Sequence, residues 1–257
     1  MELPSVESAV AALSEGPHRP TWAEVDLDRI SHNVKGIREH LSPDTGLMVV
    51  VKANGYGHGA VPVAKAALHS GAQWLGVAIV EEGINLRQAG IEAPILILGV
   101  PPIWQASLVV EHHLRVAVCT WDFAEALARA AEKQNTQAKI HVKLDTGMGR
   151  LGILPEEAMD FIRRLQTLPN LEIEGIFSHF ATADEPDKNY AQEQFRTFSR
   201  ILKQLEAEGI DIPIRHMANT AAALTMPETQ LSLVRSGIAV YGLSAAADQP
   251  RTLNLKP

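Results

Sequence analysis

Short apolar runs punctuate this chain, and between them the apolar positions fall at helical spacing. The runs are WAEVDL at 22–27, LMVVV at 47–51, WLGVAI at 74–79, PILIL at 94–98, LRVAV at 114–118, KIHVKL at 139–144, EGIFS at 174–178, IPIRHM at 212–217 and SLVRSGIAV at 232–240. Met48–Val51 is apolar without alternation and mostly β-branched, which predicts a strand covered on both faces. Helical periodicity occupies 27–41, 62–71, 120–133, 154–168 and 188–209, with Thr120 placed to cap one helix and Gly71 and Gly209 to stop two others. Strands alternating with helices argue a parallel sheet with right-handed crossovers. With the first run set aside, eight strands remain, which predicts an α/β fold, a (β/α)8 barrel of the TIM type over 21–245. A doubly wound open sheet is the alternative, weakened because no G-x-G-x-x-G follows the first strand. Residues 1–20 form an arm ended by Pro17 and Pro20, and 246–257 begin a linker.

The polar, glycine-rich segments fall at the ends of these runs, where barrel enzymes gather their chemistry. In VVVKANGYGHG, the apolar strand delivers Lys52 to the edge of a low-dielectric core, where burial lowers the pKa of an amine. A neutral lysine amine attacks carbonyls. Gly55, Gly57 and Gly59 permit close backbone approach, and His58-Gly59-Ala60 opens a helical pattern whose N-terminus favours anions. A ligand with a carbonyl and a phosphate, such as pyridoxal 5'-phosphate (PLP), suits both features; a lysine snorkelling into solvent suits the same residues. Arg150 in KLDTGMGRLG is either a bidentate carboxylate partner or a solvated residue on a D-T-G turn. His179 in FSHFATADEP is a satisfied core histidine or a rim residue. Thr220 in RHMANTAAAL caps a helix or offers its hydroxyl to a phosphate. In VRSGIAVYG, Gly237 and Ile238 offer backbone N–H groups where barrels often bind phosphate, with Arg235 pointing into the same site.

Composition narrows the partners. The 257 residues suit one large domain or two small ones, with ample apolar content for a core. A net charge of -7 without a Lys/Arg-rich run argues against nucleic acid and acidic membranes. The single cysteine, Cys119, excludes an intrachain disulfide and suits a reducing, cytoplasmic setting. No apolar run is long enough to span a bilayer, and the early Glu2, Glu7 and Glu15 do not make a secretory signal. No metal is called for.

Taken together, VVVKANGYGHG, KLDTGMGRLG, SHFATAD, HMANTA and VRSGIAVYG resemble the motifs of alanine racemases, PLP enzymes of fold-type III, in order and rough spacing. The resemblance runs from about Trp22 to the closing LNLKP, and stand-alone PLP-binding barrels lack the pairing of the first two motifs. It implies that Lys52 forms the Schiff base with PLP and serves as one of two bases. It implies further that Tyr56, Asn219, Thr220, Gly237 and Ile238 contact the cofactor, mostly at its phosphate. By the same resemblance Arg235 partners the pyridine nitrogen; since arginine does not readily lose its proton, that nitrogen stays unprotonated and the ring is a weaker electron sink. Arg150 matches the contact to the phenolic oxygen and the substrate carboxylate. His179 matches part of the network joining Arg235 to the second base. Lys143 matches a lysine that some members carry as a carbamate. The family more often has Ser at Thr220 and Pro at Ser236.

The implied reaction is an isomerase's: interconversion of L- and D-alanine, supplying D-alanine to the bacterial cell wall, in a homodimer. The family's second base is a tyrosine of a C-terminal β-domain that reaches the site from the partner subunit. LNLKP falls about where that domain begins, and neither Tyr190 nor Tyr241 matches the tyrosine. The expectation is therefore a barrel domain that binds PLP, with its turnover open. The rivals are a serine or other amino-acid racemase with the same barrel, a PLP-binding barrel without turnover, a fold-type III decarboxylase (disfavoured by DTGMGRLG and Arg235) and a barrel for some other phosphate.

Overall fold

A computed structural model describes residues 23–245 and 253–257. The expected arm at 1–20 and most of the expected linker at 246–257 lie outside the described residues. Eight strands, β1 (Gly46–Val50), β2 (Trp74–Val77), β3 (Ile95–Ile97), β4 (Arg115–Val118), β5 (Ala138–Lys143), β6 (Leu171–Phe177), β7 (Ile214–His216) and β8 (Leu233–Ser236), form one parallel sheet. Their spatial order is 7-6-5-4-3-2-1-8. The sheet curls into the (β/α)8 barrel that the alternation predicts.

Seven helices follow β1 to β7 in turn: α2 (Ala60–His69), α3 (Val80–Gln88), α4 (Ala106–Glu111), α5 (Trp121–Lys133), α6 (Ala158–Leu165), α7 (Asn189–Ala207) and α8 (Thr220–Thr225). After β8 comes a short 3-10 turn, Ile238–Tyr241, and α1 (Leu27–Glu39) packs against it and against α2, occupying the place an eighth helix would take.

Local chemistry explains where the expectation and the fold differ. The described part of WAEVDL, from Ala23 on, is no strand. Asp26 Oδ1 accepts the N–H groups of Asp28 at 2.9 Å and Arg29 at 3.3 Å, so Leu27 opens a capped helix instead. The helices α3 and α4 have no counterpart in the periodicity. α4 has only six residues, and α3 carries Gly83, where an added Cβ would stand 2.9 Å from the Leu114 side chain. Thr120 occupies the N-cap position of α5 but makes no side-chain cap bond. Gly71 (φ 106) and Gly209 (φ 72) stop their helices in a backbone conformation natural to glycine.

The apolar core lies between the outer faces of the strands and the helices. The barrel interior is divided. Met48, Leu96 and Leu233, with Trp74, Leu98 and Ile214 against them, fill an apolar half. The other half holds the buried polar side chains His141, Lys143, Glu174, His216 and Arg235. Between β5 and β6 the register slips at Ile140/His141, so that Ile140 pairs with Ile173 but His141 pairs with Gly175. Glu174 is the extra residue of this bulge, and its carboxylate turns toward His141 and Arg115.

β7 and β8 share no ladder. Their seam is closed by Ser232, whose N–H and Oγ both donate to Arg215 O while Oγ accepts Arg215 N–H, and by Arg235 N–H donating to Ala218 O. Among the described residues, no helix is long and apolar enough to cross a membrane.

Candidate active site

Lys52 leaves β1 through a turn of the wrong hand. Ala53 (φ 51, ψ 50), Asn54 (φ 53, ψ 47) and Gly55 (φ 62, ψ 44) are left-handed in succession, and Tyr56 follows at φ 51. Such a conformation costs about 1–2 kcal/mol for each residue with a Cβ. Hydrogen bonds offset it. Glu82 Oε1 accepts Ala53 N–H at 2.6 Å while its Oε2 accepts Ala78 N–H at 2.7 Å, tying the turn to the end of β2. Asn54 Oδ1 accepts Ala60 N–H at 3.0 Å, fixing the start of α2. Val51 is fully buried, whereas Lys52 is exposed and stands at the cleft with Nζ 5.9 Å from the Tyr56 ring centroid. The burial expected of Lys52 is therefore not found: the strand is enclosed, but the turn lifts its lysine clear.

The same turn throws Tyr56 across to the loop after β8. An added Cβ at Gly237 would lie 2.8 Å from Tyr56 Oη, so glycine there keeps a hollow beside a phenol. Burial raises the Tyr56 pKa. Thr220 closes the other side. Its Oγ1 accepts Gly237 N–H at 2.9 Å and lies 3.3 Å from Ser236 Oγ. Gly237 N–H is thus already engaged and does not stand free in the cleft as expected. Nor is Thr220 the helix cap: Asn219 is, its Oδ1 accepting Ala222 N–H at 3.0 Å.

Arg235 forms the floor. It is buried, with Nη1 donating to His216 Nδ1 at 2.8 Å and Nη2 donating to Ser178 O at 2.9 Å, Met217 O at 3.0 Å and His179 Nδ1 at 3.1 Å. Burial pulls its guanidinium down to about 9, which leaves it charged at neutral pH. Burial and then the charge of Arg235 hold His179 down to about 3, so that ring is neutral. Because Arg235 can only donate, His179 Nδ1 accepts and its proton sits on Nε2.

Arg150 is carried by a loop that Asp145 gathers. Asp145 Oδ1 accepts the N–H groups of Gly147 at 3.0 Å and Gly149 at 3.1 Å, and Oδ2 accepts Arg150 N–H at 3.2 Å. Tyr190 Oη donates to Gly147 O at 2.7 Å from outside. Lys143 lies beneath, buried, its Nζ donating to Leu144 O at 2.8 Å. Burial, then the Arg235 charge, bring its amine down to about 7.

All ten residues singled out in the sequence line one cleft of about 400 Å³ at the C-terminal end of the barrel. The sequence reasoning missed Glu82, Asp145, Glu174, His141 and His216, which hold the lining residues and do not meet the cleft themselves. Only Asp145 carries a local signal, an acidic residue opening a glycine-rich turn.

Residues 25–245 match the family described as alanine racemase, N-terminal domain. The chain belongs to the alanine racemase family. It is 46% identical over 239 residues to an alanine racemase of Desulfovibrio desulfuricans, covering 93% of this chain and 64% of that protein. It is 47% identical over 239 residues to an alanine racemase of Symbiobacterium thermophilum, covering 93% of this chain and 63% of that protein. The chain thus spans less than two thirds of these relatives' length. The fold is similar to the alanine racemase of Clostridium difficile 630 in complex with cycloserine, with a TM-score of 0.90 and 37% identity over 94% of this chain and 67% of that one. It is also similar to the alanine racemase of Bacillus anthracis with bound L-Ala-P, with a TM-score of 0.87 and 40% identity over 94% of this chain and 63% of that one. The donor set of this racemase-family cleft fits PLP: an amine at one end, a hollow between Tyr56, Thr220 and Gly237 at the other, and a fixed cationic donor below.

Proposed function

We propose that this chain is the PLP-binding barrel, over 21–245, of an enzyme that interconverts L- and D-alanine, followed at 246–257 by the start of a linker. The observation that carries the reading is the state of Arg235: buried, protonated and held by four hydrogen bonds, it can only donate to whatever ring meets it. When bound, PLP supplies a conjugated ring that acidifies the α-proton of an amino acid joined to it.

The chain's own residues do the rest. Lys52 holds the cofactor covalently through its amine and moves the α-proton on its face. The Tyr56 and Thr220 hydroxyls, with Ile238 and the Asn219 turn, hold the phosphate, and Gly237 leaves room for it. Arg235 keeps the ring nitrogen unprotonated, which restrains charge from spreading into the ring and favours return of the proton over other outcomes. Arg150 pairs with the substrate carboxylate. A neutral Lys143 amine can add to CO2, releasing a proton and becoming an anion that steadies Arg150. If Lys143→Met leaves both activity and Arg150 placement unchanged, the carbamate has no role. His179, with its proton on Nε2, joins Arg235 to the second base. That base is not Tyr190 or Tyr241, whose hydroxyls donate to Gly147 O and Val50 O. We place it on a partner subunit of a homodimer in the cytoplasm.

The test is an absorbance spectrum with PLP before and after borohydride, beside Lys52→Ala. A visible band trapped covalently in the wild type and missing in the variant is expected; no band in the wild type, or an unchanged band in the variant, refutes the reading. The engagement of both tyrosine hydroxyls favours a second reading, a PLP barrel without turnover. D-alanine formed from L-alanine by the purified chain decides against it.

A further inference from the structure

The hydrogen bonds of Arg235 continue away from the cleft, through the barrel interior. His216, which accepts from Arg235 Nη1, has its Nε2 2.8 Å from His141 Nδ1. His141 Nε2 lies 3.4 Å from Glu174 Oε2. Glu174 is gripped in turn by Arg115, with Nε at 3.1 Å and Nη2 at 3.4 Å, and by Lys139 Nζ at 3.0 Å. Lys139 also reaches Glu172 at 3.2 Å, so the far end of the chain opens on a charged cluster at the N-terminal side of the barrel.

The protons in this chain have one consistent arrangement. Both rings are fully buried, and burial holds both below the ordinary histidine value, His216 well below. A neutral imidazole has one donor and one acceptor. The guanidinium at one end only donates and the carboxylate at the other only accepts. His216 therefore accepts on Nδ1 and donates from Nε2 to His141 Nδ1, and His141 donates from Nε2 to Glu174. Reversing either ring sets two donors face to face beside Arg235 or turns a lone pair toward a carboxylate.

The backbone of β6 departs from regularity at this chain. The register slip brings Glu174 inward, and Gly175 has no Cβ because one would lie 2.5 Å from His141 Nδ1. Neighbouring rings fix the two imidazole planes. Phe177 stacks on His216 with centroids 4.7 Å apart and planes 4° apart, and Trp74 meets His141 edge-on at 5.5 Å. Apolar side chains would fill this volume without desolvating charge, yet a bulge and a glycine are spent on seating a polar row.

We infer that Glu174 is a positioning residue for the cleft: its carboxylate sets the proton direction along His141 and His216, which turns the His216 Nδ1 lone pair toward Arg235 and so holds the guanidinium in place. Polarisation passes along such chains, each acceptor strengthening the donor behind it. The inference deepens the function proposed above, and rests on it only for what Arg235 meets in the cleft.

The experiment uses the full chain labelled with ¹⁵N-histidine and no cofactor, so its outcome is independent of PLP trapping. In the wild type, His141 and His216 are both expected as neutral rings with the proton on Nε2, with a scalar coupling across the hydrogen bond from His216 Nε2 to His141 Nδ1. In Arg115→Gln the carboxylate loses the guanidinium that grips both its oxygens, and the Hε2 resonances of both histidines shift downfield, that of His216 by less. In Glu174→Gln an acceptor remains but its charge is gone, and the Hε2 resonances of both histidines shift upfield, opposite to Arg115→Gln. A proton on Nδ1 of either ring, a charged ring in the wild type, or a shift in Arg115→Gln confined to His141 overturns the inference. The wild-type spectrum and Arg115→Gln decide the matter even where Glu174→Gln does not fold.

Discussion

Gly175→Ala isolates what the polar row contributes to the fold. The added Cβ would stand 2.5 Å from His141 Nδ1, 2.6 Å from Cε1 and 2.8 Å from Cγ. Ordinary contact begins at 3.4 Å, so the ring has to retreat by roughly 1 Å, and overpacking of this kind costs about 1–3 kcal/mol. The retreat opens the 2.8 Å bond to His216 past hydrogen-bond range and strands two buried nitrogens, which adds about 1–3 kcal/mol. The sum, about 4 kcal/mol, lowers Tm by on the order of 10 °C for a domain of this size. Gly90→Ala is the control. Gly90 has φ +78 and nothing within 4 Å of an added Cβ, so only backbone strain of about 1–2 kcal/mol applies. Thermal and urea unfolding at neutral pH, followed by circular dichroism, measure both. If Gly175→Ala is destabilised no more than Gly90→Ala, the close seating of His141 is wrong.

Three further outcomes follow from other parts of the molecule. Asp145→Ala removes three backbone hydrogen bonds from the loop of Arg150; it is expected to cost about 1–3 kcal/mol and to make residues 146–151 newly susceptible to limited proteolysis, which an unchanged digestion pattern would contradict. Lys143 has its amine at about 7 when folded against the ordinary lysine value of 10.5. Between those values the unfolded chain holds a proton the folded chain lacks, so wild-type stability rises with pH across the window, and the penalty is fully present below about 7. Lys143→Met lacks that penalty; the excess of its urea midpoint over wild type should shrink from neutral toward alkaline pH, and a widening gap counts against the assignment. Asn33 donates to Val240 O at 3.1 Å and Lys256 O at 2.8 Å and accepts Lys256 N–H at 2.8 Å. Asn33→Ala is expected to expose the segment 253–257 to carboxypeptidase while leaving PLP trapping unchanged.

The rim of the barrel was legible because each strand ends in an abrupt change of composition: Val51 to Lys52, Leu144 to Asp145, Phe177 to Ser178. Polar residues at those points have nowhere to go but the C-terminal face, and the lining of the cleft follows. The interior row was not legible. His141 in KIHVKL and Glu174 in EGIFS look like the ordinary mixture of a strand near its ends, and only the slip between β5 and β6 makes them neighbours. A register shift is set by pairing across strands, which no single run records. The exposure of Lys52 escaped for a related reason. Periodicity describes the strand, while the left-handed turn after it depends on Glu82, distant in sequence, accepting the Ala53 N–H. The cap expected at Thr220 falls one residue earlier, because Asn219 Oδ1 and not the Thr220 hydroxyl accepts a helix N–H, that of Ala222.

The seam between β7 and β8 gives the cleft a mechanical meaning. The ring of strands is cut at one place and pinned there by Ser232, by the backbone and side chain of Arg235, and by Gly237 N–H donating to Thr220 Oγ1. Asn219 and Thr220 sit on one lip of that cut, and Gly237 and Ile238 on the other. An anion gripped by both lips is therefore a rivet. Its binding and the closure of the ring are linked, each favouring the other, and the amides of β7 and β8 are expected to gain protection from hydrogen exchange together when it is in place.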